Sequence, residues 1–110
     1  MSFKTIQQRI NDAVLQMRAS NRVGSHLNCI RLNSGCSDKH NNKIIDICKE
    51  LLETKTGFYT EAIFNSGHRA DIFIPALNEI IEVLHTESDQ RFSEKIKNYP
   101  ENFTIRKVRA

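Results

Sequence analysis

The sequence predicts one α/β domain of 110 residues built on a mixed sheet, and three observations carry that expectation. Apolar residues recur at helical spacing in two segments, 6–17 and 44–52. Three short apolar runs, FYTEAIF, RADIFIP and EIIEVLH, follow the second segment and are separated by turn-forming residues. A further helical stretch and one alternating run then close the chain. The expected order is an N-terminal helix and an irregular segment over 1–37, then an α-β-β-β-α-β core over 38–110.

The first helix rests on Ile6, Ile10, Val14 and Met17, spaced about one turn apart in FKTIQQRINDAVLQMRA with no breaker between them. SNRVGSHLNCIRLNSGCSD is rich in Ser, Asn and Gly and reads as irregular, with a short extended piece over 28–32 and a turn at Asn33-Ser34-Gly35. Ser37 or Asp38 can cap the second helix, whose apolar face is Ile44, Ile47, Cys48, Leu51 and Leu52. Gly57 is expected to end it. Strands over 58–64, 69–75 and 79–85 are joined at Asn65-Ser66-Gly67 and at 75–78. A helix over 88–99 turns Phe92, Ile96 and Tyr99 inward and stops before Pro100. In the last strand, over 102–110, Phe103 and Ile105 alternate and Val108 falls out of step.

An apolar share of 39% and a charged share of 26% are those of an ordinary globular domain. No apolar run is long enough to span a membrane, and the first residues lack the apolar stretch of a signal peptide. A cytoplasmic protein without a membrane partner is expected. Three cysteines are too few and too unevenly spaced for a disulfide framework. The net charge of +3 conceals a split: residues 1–37 and 91–110 each carry +4, and residues 41–90 carry −5. An acidic centre between basic ends suits a metal site that serves a polyanion, with the ends holding phosphates. It equally suits plain solvated faces.

The acidic residues of the strands sharpen the first alternative. A turn centred on Ser66 sets Glu61 opposite Asp71, and a loop over 75–78 sets Asp71 beside Glu82. Opposed residues share a face, so Glu61, Asp71 and Glu82 would form a row among apolar neighbours. Such a row costs on the order of several kcal/mol in lost hydration and mutual repulsion. It must be paired with cations, partly protonated, or hold a metal. Oxygen ligands of this kind suit Mg²⁺ or Mn²⁺. A structural network, with Asp71 paired to Arg69 and Glu61 facing solvent, is the alternative.

At Asp71 and Glu82, within this order of elements, the chain resembles the PD-(D/E)XK nuclease superfamily, the fold of many restriction endonucleases and archaeal Holliday junction resolvases. The resemblance covers about residues 38 to 109. Asp71 matches the motif aspartate and Glu82 the glutamate of the (D/E)XK tripeptide. It implies a restriction-endonuclease-like core and a divalent-metal-dependent hydrolase that cleaves phosphodiester bonds, with DNA expected ahead of RNA. Both carboxylates would bind the metal, with the Val83 carbonyl as a third ligand and Glu61 as an extra acidic residue nearby.

The sequence departs from the pattern at Leu84, where the family holds a lysine that orients water and stabilises the phosphate. His85 falls on the opposite face from Glu82 and does not replace it. The N-terminus of the second helix should lie near Asp71, which brings His40 and Lys43 within reach. Lys43 and Lys95 are the candidate substitutes for the missing catalytic cation, and Arg69, Arg91 and His40 are candidate nucleic-acid contacts. A catalytically impaired nucleic-acid-binding module of the same fold is the second reading.

A separate constellation, His26, Cys29, Cys36 and His40, has the residue types of a zinc site in an H-x2-C-x6-C-x3-H spacing. A small zinc-binding module is therefore a third reading. The apolar stripe of the first helix is expected to cover its own sheet, although it could also meet a second copy in a homodimer.

Overall fold

A computed structural model describes residues 5–17, 27–32, 34–84 and 103–110. They form an α/β arrangement of two helices and a four-stranded mixed sheet. The helix expected over 88–99, with Arg91 and Lys95, lies outside the described residues, and so does His26. Among the described residues, no helix is long and apolar enough to cross a membrane.

Helix α1 spans Ile6–Val14 and opens on a reciprocal cap. The Thr5 hydroxyl accepts from the Gln8 N–H, and the Gln8 side chain accepts from the Thr5 N–H. The helix is shorter than its apolar stripe predicts. The turn after the first strand takes the carbonyls just beyond its end: the Asn65 N–H donates to Gln16 O, and Asn65 Nδ2 donates to Leu15 O. Met17 leaves the helix and forms an isolated antiparallel bridge with Phe64. Ala13 and Met17 pack onto the sheet, whereas Ile6 remains 61% exposed.

Helix α2 spans Asp38–Glu53, and of the two candidate caps it uses Ser37, whose hydroxyl accepts from the His40 N–H. It ends before Gly57. Lys55 takes the left-handed conformation, with φ 54°. Its N–H donates to Leu52 O and that of Thr56 donates to Leu51 O, a paired closure in which glycine is the usual residue. Gly57 serves a close approach instead: a Cβ there would lie 3.2 Å from Leu27 Cδ1. The buried face is Ile44, Ile47 and Cys48, supported by Leu51, while Leu52 points outward.

The strands are β1 (Tyr59–Ile63), β2 (Arg69–Ile74), β3 (Glu79–Leu84) and β4 (Thr104–Arg109), in that order across the sheet. The first three are antiparallel, and β4 runs parallel to β3. Gly67, with φ 91°, turns the chain between β1 and β2. Pro75 is not a strand residue: it starts a 3₁₀ turn over Pro75–Leu77 that Asn78 closes in the left-handed region. Both hairpins keep the expected register, shown by Tyr59 opposite Phe73 and Ile74 opposite Glu79.

The segment 28–32, expected to be extended, is irregular but tied to β1. Asn28 exchanges two bonds with the Phe58 backbone, and the Thr60 hydroxyl accepts from the Arg31 N–H and donates to Cys29 O. These bonds satisfy polar groups along the strand's outer margin that would otherwise stay unpaired.

Two apolar clusters form the core. One joins Ala13 to Ala62, Phe64, Ala70, Phe73, Ile80 and Phe103, and the other joins Ile44, Ile47 and Cys48 to Phe58, Ile72, Ile74, Ile81 and Val83. Ile80 and Ile81, adjacent in β3, belong to different clusters, so α1 and α2 cover opposite faces of the sheet. Val108 packs with the α2 cluster and Ile105 with the α1 cluster. Val108 is out of step because β4 contributes to both faces.

Candidate metal centre

The centre begins with a fault in the sheet. Ala70 and Ile72 have the same strand parity yet belong to opposite clusters, and so do Ala62 and Phe58 on either side of Glu61. Glu61 has φ 52°, a conformation that L residues adopt only at a cost. Between the pairs Thr60–Ile72 and Ala62–Ala70, the ladder skips Glu61 and Asp71. The two strands thus exchange faces at these residues. The Glu61 carboxylate is held by Arg69, whose Nη1 donates to Oε2 at 3.0 Å.

The β2–β3 ladder likewise ends at Ile72–Ile81, one step before Asp71 and Glu82. Side chains replace the main chain there. Asp71 Oδ2 accepts from the Val83 N–H at 2.8 Å, and Glu82 Oε2 lies 3.4 Å from the Asp71 nitrogen as a long acceptor. Each carboxylate reaches the other strand's backbone, so the two interlock in the gap between β2 and β3. Glu82 is fully buried, at 0% exposure, and Asp71 opens partly to solvent.

His40 lies at the margin of this pair. The Ser37 cap fixes the first turn of α2, and from there His40 Nε2 stands 3.7 Å from Asp71 Oδ1. Lys43, three residues on, is half-buried. Leu84, at the position where the resemblance expects lysine, is buried at 2%.

The donor chemistry fits a hard divalent cation. Two carboxylates offer oxygen atoms, and one oxygen of each is already oriented by a backbone N–H, as the outer shell of a metal site requires. Asp71 Oδ1 and the Glu82 carboxylate would hold the ion, leaving positions for water. Among the described residues, no group of three or more His, Cys, Asp and Glu side chains converges as ligands, so the candidate is a pair. Neither Cys29 nor Cys36 is in a disulfide; the first is exposed and the second half-buried.

Two further basic residues stand on the strand next to the pair. Lys107 is the register partner of Glu82 on β4, and Arg109 that of Leu84. The sequence contains no signal for this register, because no tight turn joins β3 to β4. The chain matches no protein-family model, no curated protein and no solved structure.

Proposed function

We propose that the chain is a divalent-metal-dependent nuclease of the PD-(D/E)XK type, with a restriction-endonuclease-like core, acting on nucleic acid by phosphodiester hydrolysis. The observation that carries this reading is the interlocked pair Asp71 and Glu82 at the point where β2 and β3 part. The strand order supports it: an antiparallel β1-β2-β3 unit with β4 parallel to β3, preceded by a helix whose first turn meets Asp71.

In this reading Asp71 and Glu82 hold Mg²⁺ or Mn²⁺. When bound, the ion lowers the pKa of an attacking water and polarises the phosphodiester. The protein's part is orientation. The Val83 N–H holds Oδ2 of the Asp71 carboxylate, and Oδ1 lies toward His40. His40, beside that oxygen, is placed to hydrogen-bond a water there and to take its proton. Lys43 and Lys95 remain candidates for the cation that faces the phosphate. Arg69 and Arg91 are candidates for backbone contacts.

A specific observation favours one second reading. Leu84 is packed into the core and supplies no charge, which suits a nucleic-acid-binding module that kept the fold without cleaving. Cleavage of mixed DNA and RNA with Mg²⁺ or Mn²⁺ separates the two. The nuclease reading expects products from the wild type and at least a hundredfold less from Asp71→Asn and Glu82→Gln, both still folded. Salt-sensitive binding without products would support the second reading.

A further inference from the structure

We infer that the outer margin of β4 is the strip along which a nucleic-acid strand is held, with Lys107 and Arg109 taking successive phosphates beside the Asp71–Glu82 pair. The inference rests on the proposed nuclease reading for the identity of the polyanion, and its evidence is the register of β4.

Two carboxylates repel an anionic substrate, so a phosphate can approach them only along a path lined with cations. The parallel pairing places Lys107 in register with Glu82 and Arg109 in register with Leu84. Neighbouring strands lie about 4.8 Å apart, and in-register residues share a face. Residue 84, on the same strand as Glu82, is about 6.6 Å away by the strand rise. The backbone of Lys107 is therefore nearer to Glu82 than the position that Leu84 occupies. The face that lacks a charge at Leu84 receives two from the next strand.

The strand's position and composition agree with this role. β4 stands at the margin of the sheet order, and Thr104, Arg106, Lys107 and Arg109 are exposed. No acidic residue occurs in 103–110. Arg106, with Glu79 at 3.0 Å, lies on the other face, so Lys107 and Arg109 are the two basic residues of β4 that share the face of Glu82. Same-face residues two apart are separated by about 6.6 Å, close to the spacing of neighbouring phosphates along a nucleic-acid strand. The same basic side chains oppose pairing of this margin with a second copy, since like charges would meet across it.

The test is fluorescence anisotropy of labelled single-stranded and duplex DNA oligonucleotides with the full chain, in EDTA and over a range of salt concentrations. Removing metal separates binding from cleavage. Lys107→Gln with Arg109→Gln is expected to weaken binding at least tenfold at low salt. The double variant should also reduce the slope of log affinity against log salt by up to about 0.9 per phosphate contact. Lys49→Glu with Lys55→Glu, toward the far end of α2, is the charge control and is expected to bind almost as the wild type does. Unfolding curves identify a double variant that fails to fold, and the single variants then give the answer.

Wild-type-like binding by the β4 variants, equal loss in the control, or no binding by the wild type would each overturn the inference. It is also overturned if the β4 variants change sedimentation but not DNA binding, which would make this margin a contact between copies. Salt-sensitive binding that depends on β4, in a chain that cleaves nothing with Mg²⁺ or Mn²⁺, would sustain this inference while refuting the nuclease reading.

Discussion

Asp71 has a structural task besides the metal-binding one we propose for it, and substitutions separate the two. Its Oδ2 accepts the Val83 N–H at a place where the ladder offers no carbonyl. Asp71→Ala leaves that donor without its acceptor and is expected to cost about 1–3 kcal/mol. Asp71→Asn keeps an acceptor and removes a charge beside Glu82, so its stability should stay within about 0.5 kcal/mol of the wild type. Urea unfolding of the two variants checks the contrast. The thiols provide a second comparison. Burial pushes the Cys48 thiol up to about 11 from an ordinary value of 9.0, whereas Cys29 is exposed. The folded state thus favours the protonated thiol. That contribution is complete below pH 9, declines as pH rises through the window from 9 to about 11, and is lost above it. Alkylation near pH 8 should modify Cys29 readily and Cys48 only when the chain unfolds, as peptide mass mapping would show.

At the scale of elements, the helix end and the aromatic cluster make the strongest claims. Lys55 closes α2 in a conformation that suits glycine, so Lys55→Gly should raise stability by about 0.5–1 kcal/mol, read as a higher Tm. Phe73 lies 5.1 Å from both Phe64 and Phe103 by ring centroids, at the centre of the α1-side cluster. Phe73→Ala should cost about 3–5 kcal/mol. Leu77→Ala, at a residue that is 59% exposed, should change little. The two hairpin registers were legible because short turns at 65–67 and 75–78 tie them to chain length, and both appear as the turn positions dictate. The exchange of faces at Glu61 and Asp71 was not legible. Strand periodicity assumes regular backbone, and nothing in FYTEAIF marks Glu61 for a positive φ. The early end of α1 was hidden for a similar reason, since it depends on Asn65, about fifty residues downstream.

For the whole molecule, the arrangement brings together residues far apart in the chain. His40 comes from α2, Asp71 and Glu82 from the antiparallel strands, and Lys107 from the parallel one. The carboxylate pair was readable as two charges lodged in apolar runs, and the approach of α2 followed from its direction. The place of Lys107 was not readable, because a parallel register depends on the whole crossover over 85–103 rather than on a turn. Overall charge agrees with this division: the acidic centre supplies the pair, and the basic C-terminal residues line the neighbouring strand. In the nuclease reading, Asp71 and Glu82 together hold one divalent ion. Mn²⁺ binding followed by electron paramagnetic resonance tests it without any substrate. One bound Mn²⁺ per wild-type chain is expected, displaced by Mg²⁺, and none at the same concentration in folded Asp71→Asn or Glu82→Gln. A wild type that binds no Mn²⁺, or variants that bind it equally well, would contradict it.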